Sequence, residues 1–200
     1  SAWNWFETRR KRELISDWLE TRGIEPKWNC DIFAQPSLPD KRPELLEAVL
    51  CFVRAARELP AVRRIALLGS LTTDKAIPKD VDLLVEVADD EPLGELAKLR
   101  RQLSGRTMST GDNCGADVFL CNPRGDYIGR VCEWKKCAPG VRRSCEAQHC
   151  GRREYVYDDL HNVTLDRAVV ASPPVDLWPE QRARVDVPAD VRRMLLDELG

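Results

Sequence analysis

Two carboxylates separated by one apolar residue, Asp80-Val81-Asp82, follow the turn Leu68-Gly69-Ser70 after nine intervening residues. In a strand, residues two apart point to the same face, so Asp80 and Asp82 project together while Val81 and Leu83 turn toward a core. Adjacent carboxylates raise each other's pKa unless a cation holds them. Magnesium takes oxygen ligands and recruits carboxylates together with substrate phosphates. A Gly-Ser turn, free of large side chains, lets backbone N–H groups approach a phosphate. The chemistry suited to this pattern is the handling of a nucleotide with a divalent cation.

A third acid strengthens the pair. Asp117 lies within Ala116-Asp117-Val118-Phe119-Leu120, where Phe119 shares its face and Val118 and Leu120 oppose it. A carboxylate in an otherwise apolar strand needs compensation. Three carboxylates on adjacent strands can hold two divalent ions, which activate an attacking hydroxyl and steady a leaving pyrophosphate. A Gly-Ser turn alone, or two solvated aspartates opening a surface strand, is commonplace. Both at this spacing, with Asp117, are not.

With Leu68-Gly69-Ser70, Asp80-Val81-Asp82 and Asp117 in place, the chain resembles the nucleotidyltransferase superfamily named for DNA polymerase beta. The resemblance spans residues 62 to 121. It implies an α/β (α+β) fold with a mixed sheet and helices on one side. The implied activity is magnesium-dependent transfer of a nucleoside monophosphate from a nucleoside triphosphate. On this likeness Gly69 and Ser70 contact the triphosphate, Asp80 and Asp82 bind two magnesium ions, and Asp117 binds the acceptor-side ion. A wider stretch, through Tyr127-Ile128-Gly129-Arg130, the cysteines and Tyr157-Asp158-Asp159-Leu160, is similar to small bacterial predicted nucleotidyltransferases with a cysteine-rich tail.

The elements that must position these residues follow from apolar spacing. Leu14, Ile15, Trp18 and Leu19 mark a helical stripe ending near Gly23. Pro43 opens a second helix through Leu45, Leu46, Val49, Leu50, Phe52 and Val53, which Pro60 closes. Strands are expected at Arg63 to Leu68 and Asp80 to Val87, then a helix from Pro92 to Leu103 broken by Gly105. Asn122-Pro123-Arg124-Gly125 is turn chemistry joining 116–120 to 127–131 as a hairpin. Glu154 to Tyr157 reads as a returning strand, Pro173-Pro174 as a linker, and Pro188 to Leu199 as an amphipathic helix. The expected organisation is a helical extension (1–60) packed on the core, a nucleotidyltransferase core (61–125), a cysteine-rich segment (126–160), and a linker with a terminal helix (161–200).

Eight cysteines in 200 residues are many for a chain without a secretory leader. Cys132, Cys137, Cys145 and Cys150 form two half-motifs with four intervening residues each, around Pro139-Gly140. Four thiolates in a reducing compartment suit a structural zinc ion, with His149 an alternative to Cys150 and His161 a more distant one. Cys30, Cys51, Cys114 and Cys121 read as buried thiols. Arg124 to Arg153 carries eight cationic residues against Asp126, Glu133 and Glu146, a net +5 in a chain of net -2. Trp134 lies among them, where it can stack on a base. A basic, zinc-stapled segment beside the carboxylates would suit an RNA or tRNA acceptor.

A hydrophobic fraction of 43% and a charged fraction of 32% describe a folded, non-membrane chain. No apolar run reaches the length of a membrane span, and the polar start argues against a signal peptide, so a cytoplasmic location is expected. The sequence leaves three acceptors open: RNA, a protein hydroxyl as in toxin–antitoxin systems, or a small molecule. It also leaves a non-catalytic binding module, antitoxin-like, on the same fold.

Overall fold

The computed structural model describes residues 41–75, 77–109, 115–135, 137, 153–158, 160 and 163–200. The expected amino-terminal helical stripe, Cys30, Cys114, Cys145, His149, Cys150 and His161 lie outside them.

Helix α1 spans Arg42–Ala56. Pro43 sits in its first turn, where a missing N–H costs no hydrogen bond, Glu44 faces the positive end and Arg54 the negative end. Its buried stripe, Leu45, Leu46, Val49, Phe52, Val53 and Ala56, lies against the sheet. Strand β1 (Val62–Leu68) leads into a 3-10 turn, Gly69–Thr72, and strand β2 covers Asp80–Val87. Helix α2 (Gly94–Ser109) follows, then β3 (Gly115–Cys121), β4 (Tyr127–Val131) and β5 (Val156–Tyr157). A short helix α3 (Arg167–Ala171), β6 (Val175–Trp178) and β7 (Arg182–Ala183) precede the terminal run α4. That run joins Ala189–Val191, a π-helical turn Arg192–Leu196, and Asp197–Leu199.

Among the described residues the seven strands form one mixed sheet in the order β5-β4-β3-β2-β1-β6-β7. All neighbours are antiparallel except β2 and β3, which run parallel. A parallel pair needs a crossover of a dozen or more residues, and α2 supplies it. The odd-numbered residues of β2 (Val81, Leu83, Val85, Val87) join the main core with α1, α2 and the Val191, Leu195 and Leu199 stripe of α4. The opposite face holds a smaller cluster, Ala66, Leu68, Leu84, Cys121 and Val170 of α3. Asp80 and Asp82 belong to this second face.

The α+β class and mixed sheet agree with expectation, as do both strand boundaries of β2 and β4 and the β3–β4 hairpin. Several expectations do not hold. The short α3 packs Val170 on the second face, so the helices do not all lie on one side of the sheet, and Cys51 is half-buried, not buried. Gly105 does not break α2, which continues to Ser109. A Cβ there would meet nothing, so the glycine occupies an exposed helix face at a cost of about 1 kcal/mol, less than the packing of Leu103, Ser104 and Thr107 returns. Pro173-Pro174 does not mark a linker. Val175 follows it directly into β6, which pairs with β1 through Leu67↔Val175 and Ala66↔Asp176. No helix among the described residues is long and apolar enough to cross a membrane.

Arg42 ties the ends of this sheet's helical layer to the turn after β1. Its Nε and Nη2 donate to Asp190 of α4 at 2.7 and 3.1 Å. The same guanidinium donates to the carbonyls of Leu71, Thr73 and Lys75 at 3.2, 3.1 and 3.1 Å. Arg42 is 6% exposed, so truncation strands Asp190 and three carbonyls together. Arg42→Met is expected to cost about 3–5 kcal/mol in urea unfolding. A loss below about 1 kcal/mol would show that the clamp is replaceable.

Candidate active site

β1, β2 and β3 set their polar residues in one row. Leu68 pairs with Asp82 across the antiparallel ladder, and Asp82 pairs with Asp117 across the parallel one. Asp80, two residues earlier, pairs with Gly115, which offers no side chain beside it. Asp80 and Asp82 thus share a face with Asp117, and Gly69 immediately follows the strand residue opposite Asp82.

Gly69 has φ +69°, a conformation that L side chains rarely adopt. A Cβ there would lie 2.9 Å from Asp82 Cγ, 3.1 Å from its Cβ, and closer still to Oδ2. The turn backbone therefore presses directly onto the Asp82 carboxylate. Thr72 Oγ1 donates to the Gly69 carbonyl at 2.8 Å and Thr73 Oγ1 to that of Ser70 at 2.9 Å, fixing the turn. Ser70 Oγ is buried with no hydrogen-bond partner among the described residues. A buried hydroxyl left unpaired is costly, so this oxygen fits a group supplied from outside the chain.

Burial first, and then the charges of Asp80 and Asp117, push the Asp82 carboxyl up to about 6. Asp117 is handled differently. Arg130 Nη1 donates to its Oδ1 at 3.0 Å, and the Arg130 guanidinium carbon lies 5.6 Å from the Tyr157 ring centroid. Arg130 reaches Asp117 because β4 pairs with β3 through Phe119↔Arg130, and it meets Tyr157 because β4 pairs with β5 through Arg130↔Tyr157, next to Gly129 at φ +119°. A Cβ on Gly129 would lie 3.0 Å from the Tyr157 carbonyl carbon, so only glycine lets the two strands close.

Among the described residues no three His, Cys, Asp or Glu side chains converge into a ready-made metal cage. Magnesium seldom uses one: it binds through one or two carboxylates plus substrate phosphates and keeps several waters. The uncompensated Asp82, its neighbour Asp80 and the unpaired Ser70 hydroxyl fit such an ion. Asp117 has Oδ1 engaged by Arg130 and remains partly exposed toward the cleft.

A cleft of about 720 Å³ borders the carboxylates. One wall is Asp80, Gly115 and Asp117 at the starts of β2 and β3, with Lys79 beside them. The other is the Arg100, Arg101, Ser104 and Met108 stretch of α2, closed by Glu133 and Trp134 after β4. Arg101 Nη1 donates to the Trp134 carbonyl at 2.9 Å, and Arg100 lies 3.7 Å from Glu133. The α2 wall has no signal in the sequence, where the helix is marked only by its apolar spacing and Arg100 and Arg101 carry no motif. Arg130 was counted only as one charge of a basic run. The compensation that Asp117 required was the signal that could have found it.

Of that basic run, Arg130 and Arg153 are tied into the fold, and Arg124 makes an exposed ion pair. Arg153 donates to the carbonyls of Ala88 and Glu91, and Arg124 lies 3.6 Å from Asp126. Lys136, Arg142, Arg143 and Arg152 lie outside the described residues. Cys132 and Cys137 are both buried beyond β4, and Cys121 is buried in β3 with its thiol pushed up to about 11 by burial.

A family profile matches residues 24–157. The chain belongs to a family of unknown function, DUF6932. No curated protein and no solved structure matches it. The matched span runs to the end of β5 and includes Gly69, Ser70, Asp80, Asp82, Asp117, Arg130 and Trp134, while β6, β7 and α4 fall beyond it.

The raised Asp82 carboxyl sets a pH dependence with a definite sign. The folded state holds that proton more tightly than the unfolded chain, so the stability it carries is complete below the ordinary value of 3.8 and lost as pH rises through about 6. In chelator, Tm is expected to fall across that window, and Asp82→Asn to flatten the fall. An unchanged slope in the variant would assign it to other groups. Gly69→Ala should cost on the order of 2 kcal/mol, from the left-handed backbone and the collision with Asp82. A neutral effect in urea unfolding would mean that the turn does not press on the carboxylate.

Proposed function

We propose that the protein is a magnesium-dependent nucleotidyltransferase with a polymerase-beta-like core, acting in the cytoplasm. The observation that carries this reading is the parallel register of β2 and β3. It brings Asp82 beside Asp117 while the Gly69–Ser70 turn rests on the other flank of Asp82. The resemblance in motif spacing points the same way.

In this reading the turn takes the triphosphate of an NTP, with Ser70 Oγ donating to a phosphate oxygen. Asp80 and Asp82 hold magnesium, which when bound neutralises charge on the phosphates and leaving group. An acceptor hydroxyl oxygen bonds to the α-phosphorus as the bond to the bridging oxygen breaks. Pyrophosphate departs with that electron pair, and the hydroxyl proton is released to water. Positioning and charge neutralisation supply most of the rate, as for phosphoryl transfer in general. Cys132 and Cys137, with Cys145 and Cys150, are proposed to hold a structural zinc ion.

One observation favours a second reading. The Arg130–Asp117 ion pair already neutralises the third carboxylate, as a binding module without catalysis would need. Incubation with each labelled NTP and magnesium, with and without total RNA, separates the two. Label transferred by the wild type and lost in Asp82→Asn, at an unchanged circular dichroism spectrum, is the expected result. Transfer that survives Asp82→Asn defeats the magnesium assignment, and RNA retention without label supports the binding module. Metal analysis is expected to give about one zinc per chain, and less than about half an equivalent removes the zinc assignment.

A further inference from the structure

We infer that the cleft between α2 and the starts of β2 and β3 is the acceptor site, and that its occupant is the end of a single-stranded nucleic acid. The inference rests on the transfer reading for the cleft's role as acceptor site; the strand-binding chemistry stands on the cleft itself.

Position comes first. The sheet order puts β1 and its Gly69–Thr72 turn on one flank of Asp80 and Asp82, and β3 with Asp117 on the other. The cleft is lined by Asp80 and Asp117 and by no residue of the turn. A triphosphate seated on the turn leaves the cleft to the second substrate, whose hydroxyl then faces Asp80 and Asp117.

The lining names the class of that substrate. Among the described residues five large apolar side chains are exposed, and two of them, Trp134 at 48% and Met108 at 60%, are in this cleft. An indole and a polarizable thioether offer a stacking surface that accepts any base. Arg101 ties the tryptophan's backbone to α2 through one hydrogen bond. Lys79 is exposed and makes no ion pair among the described residues, and Arg101 retains donors beyond its one carbonyl. These two cations suit phosphates that flank a stacked base.

Topology argues against a peptide acceptor. A volume of about 720 Å³ holds the terminal part of a chain whose remainder runs outside. A peptide acceptor commonly docks by adding a strand to a free sheet edge. β3 has none, being paired on both sides by β2 and β4.

The test uses the full chain and two short fluorescein-labelled single strands of one sequence, RNA and DNA, read by anisotropy. Trp134→Ala and Trp134→Phe are compared with wild type, and binding of NTP with magnesium is followed in parallel by thermal shift. Trp134→Ala is expected to weaken strand binding about tenfold or more, Trp134→Phe to restore most of it, and the NTP shift to be the same in all three. Tighter RNA than DNA binding would assign a 2′-hydroxyl contact within the cleft; equal binding would assign base and phosphate contacts alone, and both support the inference. Unchanged strand affinity in Trp134→Ala overturns it. So does loss of the NTP shift in that variant, which would put the donor base in the cleft. Absence of binding to either strand, with label appearing on protein, overturns it as well. Strand binding that follows the expected pattern without any NTP shift in wild type leaves the cleft assignment standing and removes the transferase reading.

Discussion

The site depends on one pairing: β2 and β3 run parallel in a sheet whose other neighbours are antiparallel. An antiparallel hairpin would have reversed β3 and carried Asp117 to the far end of the sheet from Asp80. Parallel pairing forces the chain to cross over, and α2 makes the crossing. The helix that allows the two strands to align also supplies Arg100, Arg101 and Met108 to the cleft above their starts. The row of carboxylates and the cleft wall are consequences of the same connection.

Charge on this face is managed in three ways. Asp117 receives a guanidinium from β4, the other strand of its own hairpin. Asp82 receives none among the described contacts and is left with a raised carboxyl, under the backbone of Gly69. Arg64, in the same sheet face, pairs with Glu86 at 3.6 Å and caps the carbonyl end of α3. The unmatched negative charge is therefore concentrated at the start of β2, as expected where an external cation completes the balance. Arg42 keeps the turn and the segment after it in place, by holding the carbonyls of Leu71, Thr73 and Lys75 while it pairs with Asp190 of α4.

The elements around the motif were legible because their apolar spacing has a single consistent period. β2 alternates into the main core at Val81, Leu83, Val85 and Val87, and α1 shows a continuous buried stripe. The misread elements each carried a residue whose usual meaning is local. Gly105 is a helix breaker by propensity, yet one exposed glycine costs less than the helix gains from packing. Pro173-Pro174 reads as a linker, although proline is also tolerated just before a strand begins. β6 and β7 are short, and β6 is recognisable only through the long-range pairing with β1 that no local window contains.

Sequence alone determined that Asp80 and Asp82 share a face, because the period of a strand requires it, and that a small-residue turn precedes them. It also determined that Asp117 needed a compensating cation, because an apolar strand cannot hide a bare charge. Which cation that is, only the tertiary structure decided: strand pairing brings Arg130 onto Asp117 from thirteen positions away. The tertiary structure likewise made a cleft of Trp134, Met108 and Arg101, residues that have no common pattern along the chain. Local periodicity fixes the direction of each side chain within its own element. The meeting of side chains from different elements depends on sheet order and register, which are properties of the assembled fold.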